Sequence, residues 1–132
     1  MISNLPDEDK RDLLDILDRL DELRKNKKAR DSFLEFVRMV WPAFIEGSHH
    51  RIMGEAFERV VKGNPKRLIV NMAPRHTKSE FASYLLPAWF LGNNPDKKVI
   101  QTAHTAELAV GFGRKVRNLV DSDEFKTIFP NV

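Results

Sequence analysis

The stretch "RLIVNMAPRHTKSE", residues 67–80, decides how the fold is read. Its first half is a short, bounded, β-rich apolar run, the pattern of a strand buried on both faces. Its second half holds Pro74, Arg75 and Lys78-Ser79 and opens into "EFASYLLPAWFLG" (80–92), which reads as a helix kinked at Pro87. "NNPDKK" then makes a turn and "VIQTA" (99–103) a second short strand. "HTAELAVGFGRKVRNLV" (104–120) is an amphipathic helix with Leu108, Phe112, Val116 and Leu119 inward. Strand, loop, helix, strand, helix is a βαβ unit with a parallel pair, so the expected class is α/β. A last helical turn is expected over "SDEFKTIF" (122–129).

Upstream the periodicity is helical. Residues 6–28 open with Pro6 and the acids Asp7, Glu8 and Asp9, which suit the positive end of a helix dipole. Leu13, Ile16, Leu17, Leu20 and Leu23 then form one apolar stripe, and Arg24, Lys25, Lys27, Lys28 and Arg30 collect at the far end. Those cations suit either a solvated helix terminus or contact with DNA. Ser32-Phe33-Leu34-Glu35 has the form of a capping box, so a second helix should run to Trp41 and stop at Pro42. A third should start at Ser48, bury Ile52, Met53, Ala56, Phe57, Val60 and Val61, and end at Gly63-Asn64-Pro65. The division expected is an N-terminal amphipathic helix (1–31) followed by one α/β unit (32–132).

The chain of 132 residues has room for one domain with one modest core. A net charge of +3 leans towards polyanionic partners without requiring them. The sequence contains no cysteine, which excludes disulfides, thiolate catalysis and cysteine-based zinc sites. No apolar run approaches the roughly 20 residues needed to cross a bilayer, and the N-terminus lacks the order of a signal peptide, so a soluble protein is expected.

Parallel α/β sheets bind ligands at the carboxyl ends of their strands, where residues 73–79 are expected to lie. Backbone N–H groups at the following helix would favour an anion, Lys78 could reach phosphate oxygens, and the Ser79 hydroxyl could ligate Mg²⁺. Against this, the pattern G-x-x-x-x-G-K-[ST] places Met72 and Thr77 where its two glycines belong. Glycine there allows positive φ and close wrapping of phosphates. Arg75 offers a second cationic grip on phosphate, or else is a surface arginine paired with an acid such as Glu80.

From Phe33 to the C-terminus the chain resembles the large terminase subunit of tailed bacteriophages, the ATPase that pumps DNA into proheads. That family carries a deviant Walker A loop of the form P-P-R-H-G-K-[ST], matched here by Ala73-Pro74-Arg75-His76-Thr77-Lys78-Ser79 with threonine in place of glycine. "PAWFLGNNP", "VIQTAHTAELAVGFGRKVR" and "FKTIFPNV" carry the likeness further. The resemblance implies a RecA-like P-loop (ASCE) NTPase sheet of which this chain holds the first βαβ unit. It implies ATP and Mg²⁺ as cofactors, with residues 73–79 on the phosphates, Ser79 on the metal, and Arg75 gripping phosphate or acting catalytically. It also implies an adenine pocket before the first strand, where Trp41 and His50 stand; both equally suit a plain core and a helix start.

Arg114, Lys115 and Arg117 are candidates for DNA contact, or a charged helix face. By the same resemblance the partners are viral double-stranded DNA, the portal and the small terminase subunit. A ring homo-oligomer is expected only of the full-length protein, and the location is the host cytoplasm. No Walker B strand and no nuclease domain is legible, so the chain reads as an N-terminal piece of the motor, competent at most to bind ATP. Two other readings stay open: a different P-loop or helicase-like ATPase module, and a non-enzymatic helical adaptor that binds DNA.

Overall fold

The structure, a computed structural model, describes residues 6–132; the first five residues of the expected N-terminal helical unit lie outside them. Every regular element among the described residues is helical. The chain forms α1 (Asp7–Asp31), α2 (Phe33–Val40), α3 (Ser48–Val61), α4 (Lys78–Glu80), a π-helical turn (Phe81–Leu85), α5 (Leu86–Asn93), α6 (Ala106–Val120) and α7 (Asp123–Ile128).

The expected α/β class, with its βαβ unit and RecA-like sheet, is therefore overturned: no strand occurs among the described residues. Residues 67–72 and 99–103 run without regular structure, and no backbone–backbone hydrogen bond joins them to a neighbour. A strand buried on both faces is also ruled out, because Ile69 is 84% and Ile100 89% exposed. Val70 and Met72 lean on the core while Ile69 and Asn71 face out, so one side only is covered. The physical reason is one of partners. A β-rich segment becomes a strand only when a ladder takes up its N–H and C=O groups, and two short parallel segments alone do not sustain one.

The core is built on Phe33. Its ring meets Phe57 (5.5 Å), Phe81 (5.4 Å) and Trp89 (5.8 Å) edge-on, tying α2, α3, the π turn and α5 together. Phe36 continues the cluster to Phe125 and Phe129 around α7. Gly92 is required there, since a Cβ at that position would stand 2.6 Å from the Phe129 ring. The C-terminal end of α1 is fastened by polar contacts: Trp89 Nε1 donates to Ala29 O (2.9 Å) and Arg30 donates to Ile128 O (2.6 Å).

Helix ends obey local chemistry, with one substitution of partner. Ile52, expected inward on α3, is 70% exposed; the helix closes on Gly63 at φ 86°, where the Gly63 and Asn64 N–H groups return to Val60 O and Arg59 O in a Schellman arrangement. The Ser32–Glu35 capping box does not form. Glu35 pairs with Arg38, and the α2 N-terminus is capped by Glu58 of α3, which accepts from Phe33 N–H (2.8 Å) and the Ser32 hydroxyl (3.2 Å). Pro87 lies just past the π-helical turn, at the start of α5. It has no N–H for the Ser83 carbonyl four residues back, and Gln101 Nε2 donates to that carbonyl instead. The irregular 99–103 segment is thereby moored to the helix that follows the loop. No helix of the described residues is long and apolar enough to cross a membrane.

Candidate functional site

Residues 73–79 form a tight loop that enters the helical run beginning at Lys78. Two non-glycine residues in it take left-handed backbone conformations, Arg75 at φ 65° and Thr77 at φ 58°. Such a conformation is uncommon for any L-residue and an outlier for a β-branched one, costing on the order of 1–2 kcal/mol. Strain of this kind persists only where surrounding structure imposes it. Thr77 stands where the phosphate-loop pattern has glycine, so the backbone shape that glycine permits is present without the glycine.

His50 supplies the constraint. Its ring is 5% exposed and packed between Phe44 (4.8 Å) and Phe81 (5.0 Å). Gly47 N–H donates to Nδ1 (2.8 Å), the N3 side chain of α3 reaching back to the residue before the helix. Nδ1 is thus an acceptor, and Nε2 carries the proton of the neutral ring. Nε2–H meets Thr77 Oγ1 at 2.6 Å, and that hydroxyl donates onward to His76 O at 2.6 Å. Burial pushes the His50 imidazole below its ordinary range, and the neighbouring His49 pushes the same way. Both His50 nitrogens are committed within the chain, which leaves none for reading a base.

The loop borders a shallow, open concavity of about 530 Å³ lined by Ala73, Pro74, Arg75, Thr77, Lys78, Ser79 and Glu80. Lys78 is half-buried and its Nζ donates to Met72 O at 3.3 Å. Arg75 is exposed and has no ion-pair partner among the described residues. Glu80, the acid that could have neutralised it, binds Lys115 of α6 at 2.8 Å. His76 Nδ1 lies 2.9 Å from Pro74 O, which turns that ring back over its own loop. Among the described residues no group of three or more histidine or acidic side chains could hold a metal ion by itself. A metal here would need phosphate oxygens beside the exposed Ser79 hydroxyl.

None of Trp41, Arg114, Lys115 and Arg117 lines this concavity. Trp41 is half-buried against Phe44 (5.6 Å) and lines a separate cleft with Val40, Glu80, Tyr84 and Leu85. Lys115 is committed to Glu80 and lies 5.7 Å from the Tyr84 ring and 5.6 Å from that of Phe112. Burial first, and the Glu80 charge second, raise the Tyr84 phenol. Arg114 and Arg117 are exposed on α6. Sequence reasoning missed the loop-holding part of His50 and the capping part of Glu58. The Gly47-to-His50 spacing of a helix start was the one local signal for the first.

No family model, no curated protein and no solved structure matches the chain.

Proposed function

We propose that the loop Ala73–Ser79 binds the triphosphate of ATP, and that the chain serves as a nucleotide-binding part of an ATP-driven viral DNA-packaging motor in the host cytoplasm. The single observation that supports this best is the left-handed Thr77 at the glycine position of a phosphate-loop pattern, in a loop that also presents Arg75, Lys78 and Ser79 to one concavity. Left-handed residues in a loop turn backbone N–H groups inward, an anion-binding device. The unpaired guanidinium and the nearby ammonium supply the charge. In this reading Lys78 leaves Met72 O for a phosphate oxygen and Arg75 grips a second one. Ser79 offers one oxygen to a phosphate-bound Mg²⁺, whose chemistry is to neutralise the phosphate charge. The role in packaging, with double-stranded DNA, portal and small subunit as partners, rests on the sequence resemblance to terminase large subunits. No sheet enters the proposal.

Calorimetric titration of ATP·Mg²⁺ into the native chain, Lys78→Ala and Arg75→Ala tests it. Binding by the native chain with at least a tenfold loss in Lys78→Ala is expected, a difference of about 1.4 kcal/mol. Absent binding in all three refutes it.

A further inference from the structure

From Asp7 to Lys25 nothing in α1 is buried; the helix first enters the body at Asn26 and Ala29. At 1.5 Å per residue this is an arm about 28 Å long. In proteins most helical stability comes from packing an amphipathic face rather than from propensity. The arm carries such a face. Ile16 is 56%, Leu20 44% and Leu23 54% exposed, and Leu13 lies in line with them.

The line extends in both directions with a change of chemistry. Asp9, Leu13, Ile16, Leu20, Leu23 and Lys27 alternate four- and three-residue steps, the spacing of one coiled-coil seam. Its two polar members have opposite charge and stand at equal distance from its centre, level with Asp18. An antiparallel copy of the same seam sets Asp9 against Lys27 of the other copy, Leu13 against Leu23, and Ile16 against Leu20, twice over. A parallel copy sets Asp9 against Asp9 and Lys27 against Lys27. Neither Asp9 nor Lys27 has an ion-pair partner among the described residues. Of the flanking cations, Lys10 and Arg24, which would face each other, are already held by Asp7 (3.3 Å) and Asp21 (3.5 Å), while Arg19 would meet Arg19 of the other copy near the axis.

We infer that the α1 arm is a dimerisation surface whose partner is the α1 arm of a second copy of this chain, paired antiparallel about a twofold axis level with Asp18. Such a contact is isologous and closes at two copies.

Sedimentation equilibrium of the whole chain, from low micromolar to sub-millimolar concentration, should give a monomer–dimer equilibrium. Ile16→Asp/Leu20→Asp should weaken it at least tenfold, with helix content followed by circular dichroism. Lys27→Asp leaves the apolar seam intact and should weaken dimerisation several-fold; adding Asp9→Lys should restore it, which a mere effect on helix stability would not do. Because the chain has no cysteine, orientation is directly readable. A mixture of Asp9→Cys and Lys27→Cys should form a disulfide-linked pair, while neither variant alone links to itself. A monomer at every concentration, including one that associates only with a different protein, overturns the inference. So does self-linking of Asp9→Cys or growth beyond two copies.

Discussion

Replacing Thr77 separates the strain in the loop from the bond that imposes it. In Thr77→Ala the backbone still needs φ near 58°, but the hydroxyl that receives His50 Nε2–H at 2.6 Å is gone. A buried donor left without a partner costs about 1–3 kcal/mol. Thr77→Gly loses the same bond but relieves left-handed strain of about 1–2 kcal/mol. Glycine gives back roughly 0.4–1 kcal/mol through the greater freedom of its unfolded chain. The two variants should therefore differ by about 1 kcal/mol in favour of glycine, with the native chain at or above Thr77→Gly. Urea unfolding followed by the fluorescence of the buried Trp89 reads this difference, which corresponds to a few degrees in Tm. An alanine variant as stable as the glycine variant would refute a left-handed backbone at position 77. A glycine variant well above the native chain would show that the His50 bond holds nothing.

Three further outcomes are expected. His50 is held below its ordinary range by burial and by His49, so the unfolded state takes up the proton first; stability is complete above about pH 6.5 and is lost as pH falls towards the lower folded value. Urea midpoints should fall between about pH 7.5 and 5.5 in the native chain and flatten in His50→Phe, and a flat native profile would contradict the neutral ring. Phe33→Ala empties the centre of the aromatic cluster and should cost about 3–5 kcal/mol by the same unfolding assay, whereas a cost under about 1 kcal/mol would place the core elsewhere. Glu58→Ala uncaps α2 from a distance and should cost about 1–3 kcal/mol while Glu35→Ala costs little; the reverse order would restore the local capping box.

Much of the helical part was legible because helix formation is largely a local matter. The acidic start of α1, the Phe33, Phe36 and Val37 face of α2 and the Gly63 stop of α3 each depend on residues within a few positions. What was lost depends on partners distant in sequence. Glu58 outcompetes Glu35 at the α2 start because a carboxylate fixed on a neighbouring helix reaches both Ser32 Oγ and Phe33 N–H. Leu108 was expected inward and is exposed on α6, while Val116 and Leu119 on the same face are buried, because only the C-terminal half of that face meets the body. The loop was legible as a cation-rich turn at a helix start. The source of its shape was not, since Thr77 is held by a ring 27 positions earlier.

The same distinction explains how a loop of this shape stands without a sheet behind it. In a parallel α/β unit the strand fixes the entry to a phosphate loop and glycine supplies its unusual backbone. Here neither is present, and each is replaced by a side chain. His50, anchored by Gly47 N–H on one side and walled by two phenylalanines, reaches Thr77 from α3. Gln101 reaches Ser83 O, the carbonyl left open by Pro87, and ties down the second irregular segment. The His50 contact holds the loop from its helical side, so its conformation need not wait on strand pairing at residues 67–72. A ladder added along Leu68–Met72 would cover Ile69 and Leu68 but would leave the His50–Thr77 bond unchanged. Under the proposed ATP-binding reading, phosphate affinity measured by calorimetry should accordingly follow position 50 and position 77 far more closely than any substitution at Ile69.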